Sequence, residues 1–273
     1  MATTSITTHI PPEAEPEKLL TLLIEMQGAD APFSSLSSLL DFGNEQGLGR
    51  RSELPSFARL LGFLAQDKAG QIELSETGRL LANAKAELRA DLAHFYIYTA
   101  YDSSQPSFRT ESWAYQQVVN GFWQRSPMNV LTANGPVVEE VNNAALELYE
   151  ATISFSPKSI RGVRKWLEAL HPPVIEGDIF ERRTFCPPEL LLLAVGHVAR
   201  QTEGELGIDL LLTPPRREAV CRLCLLEPAA LDRALNWMLP LYPTIVVPGT
   251  TAGTYGRFLR FLRWPTLADV AAR

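Results

Sequence analysis

The chain of 273 residues is short of the residue types that most often carry chemistry: it has three cysteines, Cys186, Cys221 and Cys224, and four histidines, His9, His94, His171 and His197. An odd, small number of cysteines in a long chain argues against a disulfide framework and suits a reducing compartment. No apolar run approaches the roughly 18–20 residues needed to cross a bilayer. The greasiest stretch, Leu190 to Val195, runs straight into Gly196 and His197 and reads as a buried helix. Met1 to Pro16 is rich in Thr, Pro and Glu, without the basic start and apolar segment of a signal peptide. The expectation is a cytoplasmic protein with no membrane partner. Positive charge is not in excess either: 25 Lys+Arg stand against 31 Asp+Glu, a formal net charge of −6. That excludes a histone-like or polybasic protein but leaves room for a locally basic face.

Catalytic signatures are missing as well. G-x-S-x-G, H-E-x-x-H, G-x-x-x-x-G-K-[ST] and G-x-G-x-x-G do not occur, and Gly47-Leu48-Gly49 alone lacks the rest of a dinucleotide fingerprint. The histidines lie on different segments, and no paired carboxylates flanked by Lys suggest a nuclease. Cys221-Arg222-Leu223-Cys224 spells C-x-x-C, and Cys186 and His197 nominally complete four zinc ligands. Zinc, however, needs ligands on tight turns and a second matching pair, whereas this C-x-x-C falls within a helical stretch. Buried structural cysteines are expected, with no metal, no cofactor and no enzymatic activity.

What is present is core. Apolar residues make up 46% and aromatics 9% of the chain, enough to fold one large domain or two ordinary ones. Residues 1–16 read as a flexible lead-in. Leu19, Leu20, Leu22, Leu23 and Met26 follow helical spacing with Gly28 as a stop; Ser34 to Phe42 reads as a second helix, and a third starts near Ser52 and runs through Leu64. A short strand over Ile72 to Leu74 then leads through Leu74-Ser75-Glu76-Thr77-Gly78-Arg79-Leu80-Leu81 into a further helix. In this phrase Ser75 is placed to cap the helix, and Gly78 permits close backbone packing.

This order, with its "L-[ST]-x-x-G-x-x-L" phrase, resembles the winged helix-turn-helix superfamily over about a quarter of the chain. A second copy of the pattern starts at Ala151. Ser156-Pro157 opens a helix with Ser156 as N-cap and with Ile160, Val163, Trp166, Leu167 and Leu170 as its apolar stripe; His171-Pro172-Pro173 ends it. Val174 to Phe180 reads as strand, Gly turn, strand, with the strand continuing from Glu181 to Phe185, and a helix follows Pro187-Pro188. The expected architecture is mainly α with small β-hairpin wings: winged-helix-like units over 17–90 and 151–200, a helical spacer over 91–150 and a C-terminal helical region over 201–273. Within the spacer, a Pro/Asn/Gly segment around Pro127 to Pro136 separates two helices. No residue-level repeat links the two units.

In a winged helix the recognition helix enters the major groove while the wing touches phosphate. The resemblance therefore points to Lys158, Arg161, Arg164 and Lys165 on the second copy's helix, and to Arg182 and Arg183 after its wing, as duplex-DNA contacts. The alternative is an ordinary solvated face, since Glu168, Glu176, Asp178 and Glu181 dilute the field between Ser156 and Thr184. Arg50, Arg51 and Arg59 hold the corresponding place in the first copy, behind an N-terminus whose first fifty residues carry seven acids and two bases. Arg257, Arg260 and Arg263, spaced three apart, form a possible secondary basic strip on a segment that reads as an amphipathic helix or as a strand with mixed faces. Two functions follow. One is a non-catalytic DNA-binding protein: a transcription regulator, or the DNA-engaging subunit of a prokaryotic multiprotein machine such as a defence or mobile-element system. The other is an adaptor whose winged units dock other protein subunits.

Overall fold

Prolines and serines placed ahead of apolar runs decide where the first helices lie. The computed structural model describes residues 5–7, 9–29, 32–49, 53–101, 110–149, 152–202, 204–249 and 258–271. After a short strand β1 (Ser5–Thr7), helix α1 (Pro16–Gln27) starts on a proline, ends at Gly28 and buries Leu19, Leu20, Leu22, Leu23 and Met26. Helix α2 (Leu36–Glu45) opens on a reciprocal cap: the Ser35 hydroxyl accepts from the Ser38 N–H, and the Ser38 hydroxyl from the Ser35 N–H, both at 3.1 Å. Helix α3 (Glu53–Leu60), strands β2 (Leu64–Gln66) and β3 (Ile72–Leu74) and helix α4 (Glu76–Asn83) follow. Ser75 caps α4 by accepting from the Gly78 N–H at 3.0 Å. At Gly78 a Cβ would lie 2.1 Å from the Phe63 carbonyl oxygen, so only glycine lets α4 close on the residue that leads into β2. Strand β3 pairs with β2 on one side and, through Ile72, with Phe33 on the other.

The sequence of helix, extended residue, helix, helix and hairpin, with lateral strand order first, third, second, then recurs. Helix α5 (Ala86–Thr99) leads into α6 (Thr110–Arg125), β4 (Met128–Asn129) and α7 (Val130–Tyr149). Strand β5 (Thr152–Ser154), helix α8 (Pro157–Glu168) and the hairpin β6 (Ile175–Glu176) and β7 (Ile179–Phe180) complete this set. Its sheet is ordered β4-β7-β6. Helix α9 (Pro188–Gln201), β8 (Asp209–Leu211), α10 (Pro214–Cys224), α11 (Leu231–Met238), β9 (Val246–Pro248) and β10 (Phe258–Phe261) repeat the order once more, with the sheet β8-β10-β9. A last short helix, α12 (Ala268–Ala271), follows. Buried side chains of all three sets join in one hydrophobic core.

Several expectations change. Most of the stretch read as a spacer belongs to the second set, because Met128 of β4 pairs with Phe180 of β7. The C-terminal region is a third set with its own three-stranded sheet. Helix α7 runs through Pro136 instead of starting after it: the Asn129 side chain accepts from the Leu131 and Thr132 N–H groups and starts the helix ahead of the proline. Strand β7 stops at Phe180 instead of continuing to Phe185. The Ser156 side chain makes no cap bond; its carbonyl accepts from the Ser159 N–H at 2.9 Å. The described part of the N-terminal lead-in is built into the fold: β1 runs parallel to β5, and Ile10, 1% exposed, packs on α8. Among the described residues no helix is long and apolar enough to cross a membrane.

Gly162 on α8 makes room for Ile10: a Cβ there would lie 2.3 Å from the Ile10 carbonyl oxygen. Gly162→Ala is expected to cost about 1–3 kcal/mol by overpacking and to loosen the N-terminal segment. A lower thermal midpoint, with faster proteolysis ahead of Pro16, checks this.

Candidate functional site

Helix α8 forms as its pattern dictates, with Pro157 at the first position and Ile160, Val163, Trp166 and Leu167 buried. Its charged residues therefore lie on the remaining surface, but they do not form a free cationic face. Lys158 pairs with Glu13 at 3.0 Å and Lys165 with Glu15 at 3.0 Å. Glu15 also takes Lys18 at 2.7 Å, and the hydrogen bonds from Lys18 and Lys165 hold its carboxyl down to about 2. Arg164 is held by Glu168 at 2.6 Å, by Asp178 at 2.9 Å and by the Gly177 carbonyl at 2.6 Å. Arg161 is exposed, and among the described residues it has no carboxylate partner.

The two arginines after the β6–β7 hairpin point elsewhere. Arg182 lies over the Trp123 ring at 4.3 Å, donates to the Trp123 carbonyl and pairs with Glu227 at 3.3 Å. Arg183 is buried: its Nη1 lies 2.8 Å from Asp91 Oδ1, and its Nε donates to the Cys224 carbonyl at 2.7 Å. Arg183 thus serves the interior, in place of the phosphate contact expected of it. Of the secondary strip, Arg257 lies outside the described residues. Arg260 sits on strand β10 and pairs across the sheet with Asp209 at 2.9 Å, and Arg263 pairs with Asp269 at 2.7 Å. In the first set Arg50 and Arg51 lie outside the described residues, and Arg59 on α3 reaches Gln66 at 3.4 Å.

The burial of Arg183 exposes a polar network that sequence reasoning missed. Asp91 on α5 accepts from the His171 N–H at 2.9 Å, and Arg183 Nη1 reaches the His171 carbonyl at 3.4 Å. Beside it, His94 bonds the Leu223 carbonyl through Nε2 at 2.8 Å and the Tyr115 hydroxyl through Nδ1 at 2.7 Å. A carbonyl only accepts, so Nε2 carries the proton and Tyr115 donates to Nδ1. Burial presses the His94 pKa down to about 4 and keeps the ring neutral. Cys221 and Cys224 sit buried on α10, where burial pushes Cys221 up to about 12 and Cys224 well above the usual thiol range. Both remain thiols, unsuited to nucleophilic attack. The network ties α5 and α6 to the turn after α8, to the segment after the β6–β7 hairpin and to the end of α10.

Large apolar side chains also stand open on the described surface. Ile179, Phe185, Trp237 and Leu241 are large, exposed side chains, with Trp237 56% exposed. The Phe185 and Trp237 rings meet edge to face at 5.8 Å. Beside them, at the base of the β6–β7 hairpin, opens a cavity of about 540 Å³ lined by Pro172, Pro173, Ile179 and Phe185 and, in equal part, by polar and charged residues, Arg182 and Arg183 among them. Sequence reading had a signal for it, an unpatterned Phe185 and a Trp237 placed off the apolar stripe of α11, but burial had to be known to use it. The chain matches no protein-family model, no curated protein and no solved structure.

Two outcomes follow from the interior. Arg183→Met is expected to lose about 3–5 kcal/mol by stranding Asp91, and Asp91→Leu combined with it to recover part of that loss, as read by chemical denaturation. Stability is also expected to fall on acidification. His94 and His197, both lowered to about 4, stay neutral in the fold while the unfolded chain takes up protons below about 6.5. Stability is therefore full above pH 6.5 and declines toward pH 4, with His94 contributing on the order of 3 kcal/mol. Denaturant titrations at pH 7 and 5 check this, with a flatter slope for His94→Gln.

Proposed function

We propose that this protein is a non-catalytic docking subunit of a multiprotein assembly, its rigid body made of three winged-helix units. The repeated order of helix, strand, two helices and hairpin, with lateral strand order first, third, second, supports the winged-helix reading. One observation carries the docking reading: five of the six cations assigned to a duplex are taken up by the protein's own carboxylates and carbonyls, while an aromatic ridge and a cavity beside it stand open. Interfaces gain most from aromatic side chains of this kind set in a polar rim.

Duplex contact through α8 is the second reading, favoured by the exposed Arg161. The Lys158–Glu13 and Lys165–Glu15 pairs lie at the surface, where ion pairs are worth about 0–1 kcal/mol, so phosphate could displace them. Arg182 and Arg183 offer no such route. A salt-titrated binding assay on random-sequence duplex separates the two. The docking reading expects no retention at low salt and no effect of Arg161→Ala. Salt-steep binding that Arg161→Ala weakens about tenfold, the loss of one phosphate or base contact, would establish the second reading instead. Cross-linking of the full chain in its native source, yielding defined complexes with other chains, is the positive result.

A further inference from the structure

We infer that the cavity at the base of the β6–β7 hairpin, with the Phe185–Trp237 ridge beside it, takes a short basic and apolar peptide segment of a partner chain. This rests on the docking reading and names the chemistry of the partner.

Apolar walls account for half of the assignment. Pro172, Pro173, Ile179 and Phe185 line a space of about 540 Å³, large enough for one or two aliphatic side chains. The ridge extends the same surface along α11: Trp237 and Leu241 are four residues apart, on one side of the helix and the 3-10 turn that continues it. Arg233, one turn earlier, donates to the Thr184 carbonyl at 3.0 Å and pins the Phe185 segment against α11. The groove therefore has walls held by two of the three units, a preformed surface instead of a loose loop.

Charge supplies the rest. Glu176 and Glu181 both border the cavity and are exposed, and neither has a cation partner among the described residues. Their neighbours do: Asp178 holds Arg164, Glu227 holds Arg182 and Asp232 holds Arg217. Arg182 and Arg183 also border the cavity, but Glu227 and Asp91 take them up, so the open charges on its rim are the two carboxylates, and these set the sign of the occupant. The complement is an aliphatic side chain for the cavity, flanked by Lys or Arg for Glu176 and Glu181.

Trp237 provides the readout. Trp113, Trp123 and Trp166 are buried and Trp264 is half-buried against Phe261, while Trp237 stands out. The part of the quenching by a neutral agent such as acrylamide that Trp237→Phe removes therefore reports on the ridge. The probes are capped octapeptides of alternating leucine and lysine, of leucine and glutamate, and of serine and lysine, added to the full chain. Saturable shielding of Trp237 is expected from the Leu–Lys peptide, with binding at least tenfold weaker for the other two. The double variant Glu176→Lys/Glu181→Lys should reverse the preference toward Leu–Glu, a gain that misfolding could not produce. Equal binding of all three peptides, no shielding by any, or an unchanged preference in the double variant would overturn the assignment. A concentration-dependent dimer of the chain alone, lost on Trp237→Ala, would give the groove to a second copy and overturn it too. Defined complexes in the native source that survive Phe185→Ser and Trp237→Ala would remove this groove but leave the docking reading standing. Absence of any such complex would remove both.

Discussion

A carboxylate and a guanidinium taken wholly out of water, Asp91 and Arg183, hold the middle of this molecule together. Removing two charges from water is costly unless each finds its partner and its remaining hydrogen bonds. Here the backbone supplies most of them. The His171 N–H and carbonyl and the Cys224 carbonyl close around the pair, so a helix from the first half, the turn after α8 and the end of α10 must meet in one arrangement. His94 and Tyr115 extend the same logic with neutral partners, and Trp123 donates its indole N–H to the Leu226 carbonyl nearby. The polar interior specifies how the units meet, and the apolar core supplies the driving force.

The same economy runs over the surface. Strands of two to four residues cannot fold alone, and each three-stranded sheet is closed by helices that reach into the shared core. Once α8 is docked by its apolar stripe, its outer side chains fall beside the N-terminal segment, and Glu13 and Glu15 neutralise Lys158 and Lys165. Glu168 and Asp178 do the same for Arg164. A helix that looks cationic when read alone becomes nearly balanced in place. At the hairpin, the carboxylates Glu176 and Glu181 stay open beside exposed Ile179, Phe185 and Trp237.

Legibility in the sequence followed the length of the signal. Helices with a proline or serine at the start and several apolar positions, α1, α2, α4 and α8, were readable, as was the close approach at Gly78. The hairpin turn at Gly177 was readable from its glycine, which adopts a φ of +59°. The first strand of each sheet was not. Phe33 contributes one bridge and β4 two residues, too few to show alternation. With those strands unseen, α6 and α7 passed for a spacer and the third repeat for a plain helical region.

By itself the sequence determined where most of the helices lie and which faces turn inward, because those depend on neighbours three or four residues away. Tertiary structure alone decided which charges stay free. Glu13 reaches Lys158 and Asp91 reaches Arg183 across separations of 145 and 92 residues, and Coulomb attraction acts on distance in space, not along the chain. Arg183 and Arg161 carry the same guanidinium. Burial against Asp91 makes one a structural tie, and solvent leaves the other open.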